Sequence, residues 1–368
     1  LLYKKNDPRE IRNYRPITLL NVDYKITGKV LVQRMKAVMD SIVSSPQLGF
    51  VPGRVITEAT HYLKLLQAIA DEEDLDGIIV AADWEKAFDR VSWDYLRGAL
   101  VTLGFGDKAR AWVGAMYNDD APPLRRVRAN GKRSEMFSIH SGVPQGCPTS
   151  PLIFLLVAEA LTRLVLADED LKGVETPDGR QHKLSQFADD TQFALRGFGQ
   201  LPRMWAHIQL YEKATGMRAN ADKFVGFRLG RTRRRAIPAG EHVDPIAWVE
   251  EGQYTTILGI PFGEDFDEQE FLELKYRKMK EIVSVWRDHA KLTAFGKSML
   301  ANSMIFSRFR YYAQCMHISG ALHDAIEADA QALVWSRVGD FDAAEVGSHV
   351  KFRRWMKEKS QFGNRKQE

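Results

Sequence analysis

Apolar residues recur at helical spacing from Val22 to Val43, where Ile26, Val30, Leu31, Met35, Val38, Met39 and Ile42 line one side before Pro46 ends the run. Thr57 to Ala70 repeats that period with Leu63, Leu65, Leu66 and Ile69 and predicts a second helix. Gly77 to Ala82 (GIIVAA) is a short unbroken apolar run, the pattern of a buried strand. Ser92 then caps a predicted helix that runs to about Leu103 and stops at Gly104. Residues 124–140 alternate around Asn130-Gly131, a hairpin signal. Pro151 to Leu166 predicts a buried helix, and Lys183 to Phe193 a second hairpin with Asp189 and Asp190 at its tip. Trp205 to Thr215 is helical up to Gly216, residues 222–263 hold short strands, and from Glu268 to about Val338 the pattern is mainly helical. Residues 1–20 read as loop and extended chain, broken at Pro8 and Pro16. Helices, then interleaved strands and helices, then helices again make an α+β centre with helical flanks.

Composition changes this picture little. At 368 residues, 45% apolar and 27% charged, the chain can bury a sizeable core and is long enough for about two domains. The net charge is only +4. It is unevenly placed: seven Lys or Arg against two Glu from Lys351 to Glu368 give +5 there, and about −1 over the rest. The two cysteines, Cys147 and Cys315, form no metal-binding cluster, which fits a reducing setting. The most apolar stretch, Pro151 to Ala167, carries Glu159 and Arg163 and is too short to predict a membrane span. No signal peptide is visible, and a start at Leu1 in a polar segment reads as a piece of something longer.

The chemistry is carried by carboxylates. Asp83 stands at the end of the buried strand, where a negative charge is costly unless a cation meets it. Asp189 and Asp190 are adjacent, and a divalent cation relieves their repulsion. Hard oxygen ligands in this number suit Mg²⁺. Taken singly, an Asp pair is more often a solvated turn and an Asp after a strand more often a cap. The set in order is more specific. It runs NYRPI (Asn13–Ile17), LGFVPGR (Leu48–Arg54), DWEKAFD (Asp83–Asp89), SGVPQGCPTSP (Ser141–Pro151), FADD (Phe187–Asp190), GMRAN with Lys223 (from Gly216), and LGI (Leu258–Ile260).

This succession resembles the reverse transcriptases of non-LTR (LINE-type) retrotransposons over about residues 1–263, with a looser likeness from Leu292 to Met316. The resemblance implies a right-hand polymerase with an antiparallel-sheet palm and a helical thumb. Fingers would occupy residues 1–75, palm 76–263, thumb 264–345 and a basic tail 346–368. It implies RNA-directed DNA synthesis from a primer 3′-hydroxyl with dNTPs, through two Mg²⁺ ions (or Mn²⁺ in their place) roughly 4 Å apart on Asp83, Asp189 and Asp190. Arg15 and Lys25 would meet the triphosphate. Phe88 would stand under the sugar as a steric gate, or else be a core ring. Gln145 would lie against the incoming nucleotide and the template base. Lys223 would protonate or neutralise pyrophosphate, or else be solvated. Arg54 could face the template, and Gly259 would sit in the turn that grips the primer. Asp89 reads as a turn cap, not a catalytic group. The basic runs Arg125-Arg126-Val127-Arg128 and Arg231–Arg235 could meet phosphates or be solvated faces.

The partners implied are an RNA template, a DNA primer and dNTPs, with no membrane. Nuclear entry follows only from the resemblance, since such an enzyme acts at chromosomal DNA. Relatives of this type carry an endonuclease domain before the polymerase and often a Cys/His-rich segment after it; neither can be read here. Two alternatives remain open on sequence: a non-catalytic RNA-binding protein of the same fold, either a relic or a domesticated copy, and an RNA-copying RNA polymerase. The three intact aspartates speak against the first, Phe88 and NYRPI against the second.

Overall fold

We describe a computed structural model of the chain, covering residues 1–3, 7–129, 131–289 and 292–335. It divides into two units, Leu1–Asp267 and Glu268–Glu368.

The first unit is built on a five-stranded sheet. In chain order its elements are helices α1 (Val22–Ile42) and α2 (Ile56–Glu72), strand β1 (Asp76–Ala82), and helices α3 (Trp93–Thr102), α4 (Asp107–Met116) and α5 (Ser150–Ala167). There follow β2 (Leu184–Phe187), β3 (Asp190–Leu195), α6 (Leu201–Thr215), β4 (Val225–Gly230), β5 (Ala247–Trp248), β6 (Tyr254–Ile257) and β7 (Ile260–Gly263). The sheet order is β2-β3-β1-β4-β5, with β1 in the middle, and every pair is antiparallel except β4 with β5. That pair is parallel because residues 231–246 cross over between them, and a parallel pair needs such a connection of a dozen or more residues.

The unbroken apolar run of β1 has a physical reason. Ile78, Val80 and Ala82 join the main apolar cluster with α5, whereas Ile79 lies outside that cluster, and α2 packs on β2 and β4. A central strand covered on both faces cannot alternate polar with apolar. Helix α5 is long and apolar enough to cross a membrane by length and composition, contrary to the sequence expectation. It is instead the core helix: twelve of its residues are buried, and α1, α3 and α6 pack around it. Its one buried acid, Glu159, accepts from Ser44 N (3.0 Å) and Oγ (2.5 Å) and from Arg163 Nε (2.7 Å).

Boundaries mostly follow the sequence. Ser92 caps α3 by accepting from Tyr95 N at 3.3 Å. Helix α6 starts earlier than expected, at Leu201-Pro202, since Pro suits a first turn. Helix α4 was not predicted; it presents only Val113 and Met116 to the core, too few for a periodic signal. The hairpin of residues 124–140 is two short ladders, Leu124–Arg125 with Phe137–Ser138 and Arg128–Ala129 with Lys132–Arg133, and Asn130 lies outside the described residues.

The second unit is helical: α7 (Glu268–His289), α8 (Ala294–Ala301), a π-helical turn at Asn302–Phe306, α9 (Ser307–Cys315) and α10 (Gly320–Trp335). The expected end of the thumb and the basic tail lie outside the described residues.

Candidate active site

Strand register brings the acidic residues together. Thr191 pairs with Ala82 and Phe187 with Asp190. Asp190 is one step before Thr191 and Asp83 one step after Ala82, so antiparallel pairing sets these two side by side at the end of the sheet. Asp189 sits in the two-residue turn between β2 and β3, next to Ala188 at φ +58°. The side-chain oxygens of the three aspartates do not all gather within 4.8 Å; among the described residues the one group of three candidate ligand atoms that does is His323, Asp324 and Glu327, on one helix, with Glu327 half-buried. Asp83 Oδ2 instead accepts from Lys223 Nζ at 2.8 Å, and both side chains are about half exposed. The backbone holds Lys223 there: Asn220 N donates to Asp83 O (2.9 Å) and Lys223 N to Asn220 O (2.9 Å).

A left-handed alanine is strained, by about 1–2 kcal/mol, and something must hold it. That group is Gln47, fully buried. Its Oε1 accepts from Ala188 N (2.8 Å) and Gly49 N (2.9 Å), and its Nε2 donates to Ala188 O at 3.2 Å. Leu48 N donates to Gln186 O and Gln186 N to Pro46 O, each at 2.8 Å, so residues 46–49 dock along β2 as a short parallel bridge. Gly49 is required there: a Cβ would stand 2.3 Å from Ala188 N. Beneath the turn, buried polar side chains form a chain. Thr162 Oγ1 donates to Gln186 Oε1, Gln186 Nε2 to Thr191 Oγ1 (3.3 Å) and Trp84 Nε1 to Thr191 Oγ1 (3.2 Å). Sequence reasoning missed Gln47 and Gln186. The one available signal was a glutamine directly before Leu48-Gly49-Phe50.

The other predicted residues fall in three groups. Phe88 and Gln145 are brought together: Val143 N donates to Phe88 O (2.6 Å), Gly142 N to Val91 O (2.7 Å) and Trp93 Nε1 to Gly142 O (2.8 Å). Gln145 Nε2 reaches Asp89 Oδ2 at 3.5 Å. Burial pushes the Asp89 carboxyl up from its ordinary value, against the opposing pull of Lys86 and Gln145. The Phe88 ring is half-buried and stacks on Phe154 of α5, centroids 4.4 Å apart. Gln145 O accepts from Thr18 N at 2.7 Å, and Gly146, at φ +104°, passes so close that a Cβ would meet Thr18 O at 2.8 Å. The segment after NYRPI thus lies against the Gln145 loop.

Arg15 is exposed at the end of a two-residue strand, and Lys25 is half-buried in the first turn of α1. Leu258 (φ +51°) and Gly259 (φ +85°) form the tight turn between β6 and β7, the geometry a two-residue hairpin prefers. Arg54 is tied into its own loop. Its Nη1 donates to Ser44 O (2.8 Å) and Gln47 O (2.7 Å), and its Nη2 to Asp40 Oδ1 (2.7 Å) and Val43 O (3.1 Å). With its side chain only 15% exposed, it braces the loop that carries Gln47.

Residues 3–262 match the sequence profile of a family described as reverse transcriptase (RNA-dependent DNA polymerase). The chain is 30% identical, over 86% of its length, to the transposon TX1 uncharacterized 149 kDa protein of Xenopus laevis, and covers 24% of it. It is 24% identical, over 65% of its length, to the retrovirus-related Pol polyprotein from the type-1 retrotransposable element R2 of Popillia japonica, and covers 33% of it. The chain therefore spans about a quarter to a third of these curated relatives. A solved structure of apo telomerase from Candida tropicalis aligns with 84% of this chain and 54% of that one, at 11% identity and a TM-score of 0.46.

Proposed function

This chain belongs to the reverse transcriptase (RNA-dependent DNA polymerase) family, and from that premise we propose that it is the polymerase part of a non-LTR retrotransposon protein, extending a primer 3′-hydroxyl with dNTPs on an RNA template. The observation that carries the reading is the pairing of Ala82 with Thr191, which puts Asp83 and Asp190 at neighbouring positions one step beyond it, with Asp189 in a turn that Gln47 clamps. Residues 1–75 would be the fingers, 76–263 the palm and 264–345 the thumb.

The donor set fits divalent ions: three carboxylates with hard oxygens, one of which already meets a cation in Lys223. Two Mg²⁺ or Mn²⁺ ions on Asp83, Asp189 and Asp190 would lower the pKa of the primer hydroxyl and neutralise the triphosphate. The rest is the work of the chain's own groups. Arg15 and Lys25 neutralise phosphate oxygens. Lys223, beside Asp83, stabilises the departing pyrophosphate or gives it a proton. Phe88, anchored on Phe154, closes the floor under the sugar and excludes a 2′-hydroxyl. The Gln145 loop orients the incoming nucleotide. The Leu258-Gly259 turn holds the primer end, so that the hydroxyl meets phosphorus in line; such positioning supplies much of the rate.

The test is primer extension on an RNA template with dNTPs and Mg²⁺, comparing the parent with Asp189→Ala plus Asp190→Ala. Extension by the parent alone is the expected result. Equal extension by both would sink the assignment, and binding without extension by either would make the chain an RNA-binding relic.

A further inference from the structure

One buried hydroxyl is tied to all three aspartates. Thr191 directly follows Asp190, and Trp84 directly follows Asp83. The Trp84 indole N–H donates to Thr191 Oγ1 at 3.2 Å, which pins the residue after one carboxylate to the residue after the other. Thr191 Oγ1 donates in turn to the backbone carbonyl of Asp189 at 3.4 Å. Gln186 Nε2 donates to the same Oγ1 at 3.3 Å, and Gln186 Oε1 is itself held by the Thr162 hydroxyl. A threonine hydroxyl has one proton and two lone pairs, so Thr191 is fully used. Both incoming groups can only donate, which leaves the Thr191 proton for the Asp189 carbonyl. Trp84 is held on its other sides as well. Its ring meets Tyr211 edge-on, centroids 5.2 Å apart, its backbone bridges to Ala219, and Glu85 N donates to Arg218 O at 2.8 Å.

Packing alone does not ask for this set. Thr191 is 1% exposed, and a valine would fill the same space with no bonds to satisfy. Buried polar groups are costly unless every member is paired, and a fully paired network fixes one geometry. A fixed geometry is what this end of the sheet lacks by itself, because three neighbouring carboxylates repel one another. We propose that Thr191 is a positioning residue for polymerisation: through Trp84 and the Asp189 carbonyl, its hydroxyl sets the spacing of Asp83 from Asp189 and Asp190. The proposal rests on the polymerase reading above, in which those three side chains hold divalent ions. It differs from the Gln47 clamp, which fixes the shape of the turn through Ala188, whereas Thr191 fixes the distance of the turn from the neighbouring strand. Groups that orient ligands from behind are worth about 10–100-fold in metal affinity or activity.

The test uses the full chain and two readouts, Mn²⁺ binding by calorimetric titration and steady-state primer extension, with a melting curve to check the fold. Thr191→Val, which loses only the hydroxyl, should weaken Mn²⁺ binding and lower kcat by about tenfold each, with primer–template Kd unchanged. Thr191→Ser keeps the hydroxyl, loses a methyl, and should recover most of both. Trp84→Phe keeps a ring against Tyr211, loses the N–H, and should weaken Mn²⁺ binding in the same direction. The double variant Trp84→Phe/Thr191→Val should bind Mn²⁺ no worse than Thr191→Val alone, since both changes remove one bond. Parental Mn²⁺ affinity in Thr191→Val, even with a lower melting temperature, overturns the proposal. So do equal losses in the Val and Ser variants, or losses that multiply in the double variant. If valine prevents folding, Trp84→Phe decides, and parental Mn²⁺ affinity there overturns the proposal. A parental Thr191→Val beside an inactive Asp189→Ala plus Asp190→Ala leaves the polymerase reading standing. A parent that neither binds Mn²⁺ nor extends overturns both together.

Discussion

Replacing Gln47 by Leu removes the clamp on the aspartate turn while nearly conserving volume. The change deletes three hydrogen bonds and orphans two donors, Ala188 N and Gly49 N, at a glutamine with no exposed surface. A buried unpaired group costs about 1–3 kcal/mol, so two give about 2–6 kcal/mol before relaxation. The turn can relax, because Ala188 at φ +58° is freed to leave a conformation that costs it about 1–2 kcal/mol. Relaxation recovers part of the loss, so the expected fall in unfolding free energy is about 3 kcal/mol by urea titration. It also moves Asp189. A displacement of about 1 Å at a reacting centre costs on the order of a hundredfold in rate. Steady-state primer extension, run well below the melting temperature, should show kcat down about a hundredfold with primer–template Kd unchanged. Gln47→Glu keeps both acceptor bonds and loses the donation to Ala188 O, so it should fall between parent and Leu. If Gln47→Leu keeps parental kcat, or loses affinity in place of kcat, the clamp does not position the turn.

Three further outcomes follow from the same geometry. Lys223→Ala should change stability by no more than about 0.5 kcal/mol, because both partners are about half exposed, and should tighten Mn²⁺ binding in a calorimetric titration by freeing Asp83 Oδ2; weaker binding would refute the competition. Phe88→Val should narrow the preference for dNTP over rNTP in kcat/KM and cost about 1–3 kcal/mol through the lost stack on Phe154; an unchanged preference would leave Phe88 as core alone. Asp168→Asn should cost about 2–3 kcal/mol at pH 7, since Arg203 (2.7 Å from Oδ1) and His207 (2.5 Å from Oδ2) hold that carboxyl well below the usual range. Its folded value is depressed, so its contribution is present above the unfolded carboxylate's value of about 3.9 and fades as pH falls below that. Urea melts should show the gap between parent and variant closing toward pH 3, and a gap that widens there would contradict the pairing.

What could be read from the sequence was local, and what could not was set across distance. GIIVAA needs only its own apolar run to be a covered strand, and Phe187 to Asp190 needs only its flanks to be a hairpin tip. The carboxylates were therefore legible one by one, and strand register does the rest. Arg54 carries no local mark of where its guanidinium turns; its acceptors are the Asp40 carboxylate and the carbonyls of Val43, Ser44 and Gln47, 7 to 14 residues back along the chain. Gln47 acts on Ala188, 141 residues away, and one polar residue in a loop has no periodicity to betray it. The two arginine runs make the same point in electrostatic terms. Their local charge is similar, and what separates them is whether Asp71, Asp74 and Asp76 arrive from 155 to 162 residues earlier in the chain. A basic run is a binding surface only where the fold withholds the acid, so the charge that counts for binding is a property of the folded surface, not of the sequence segment.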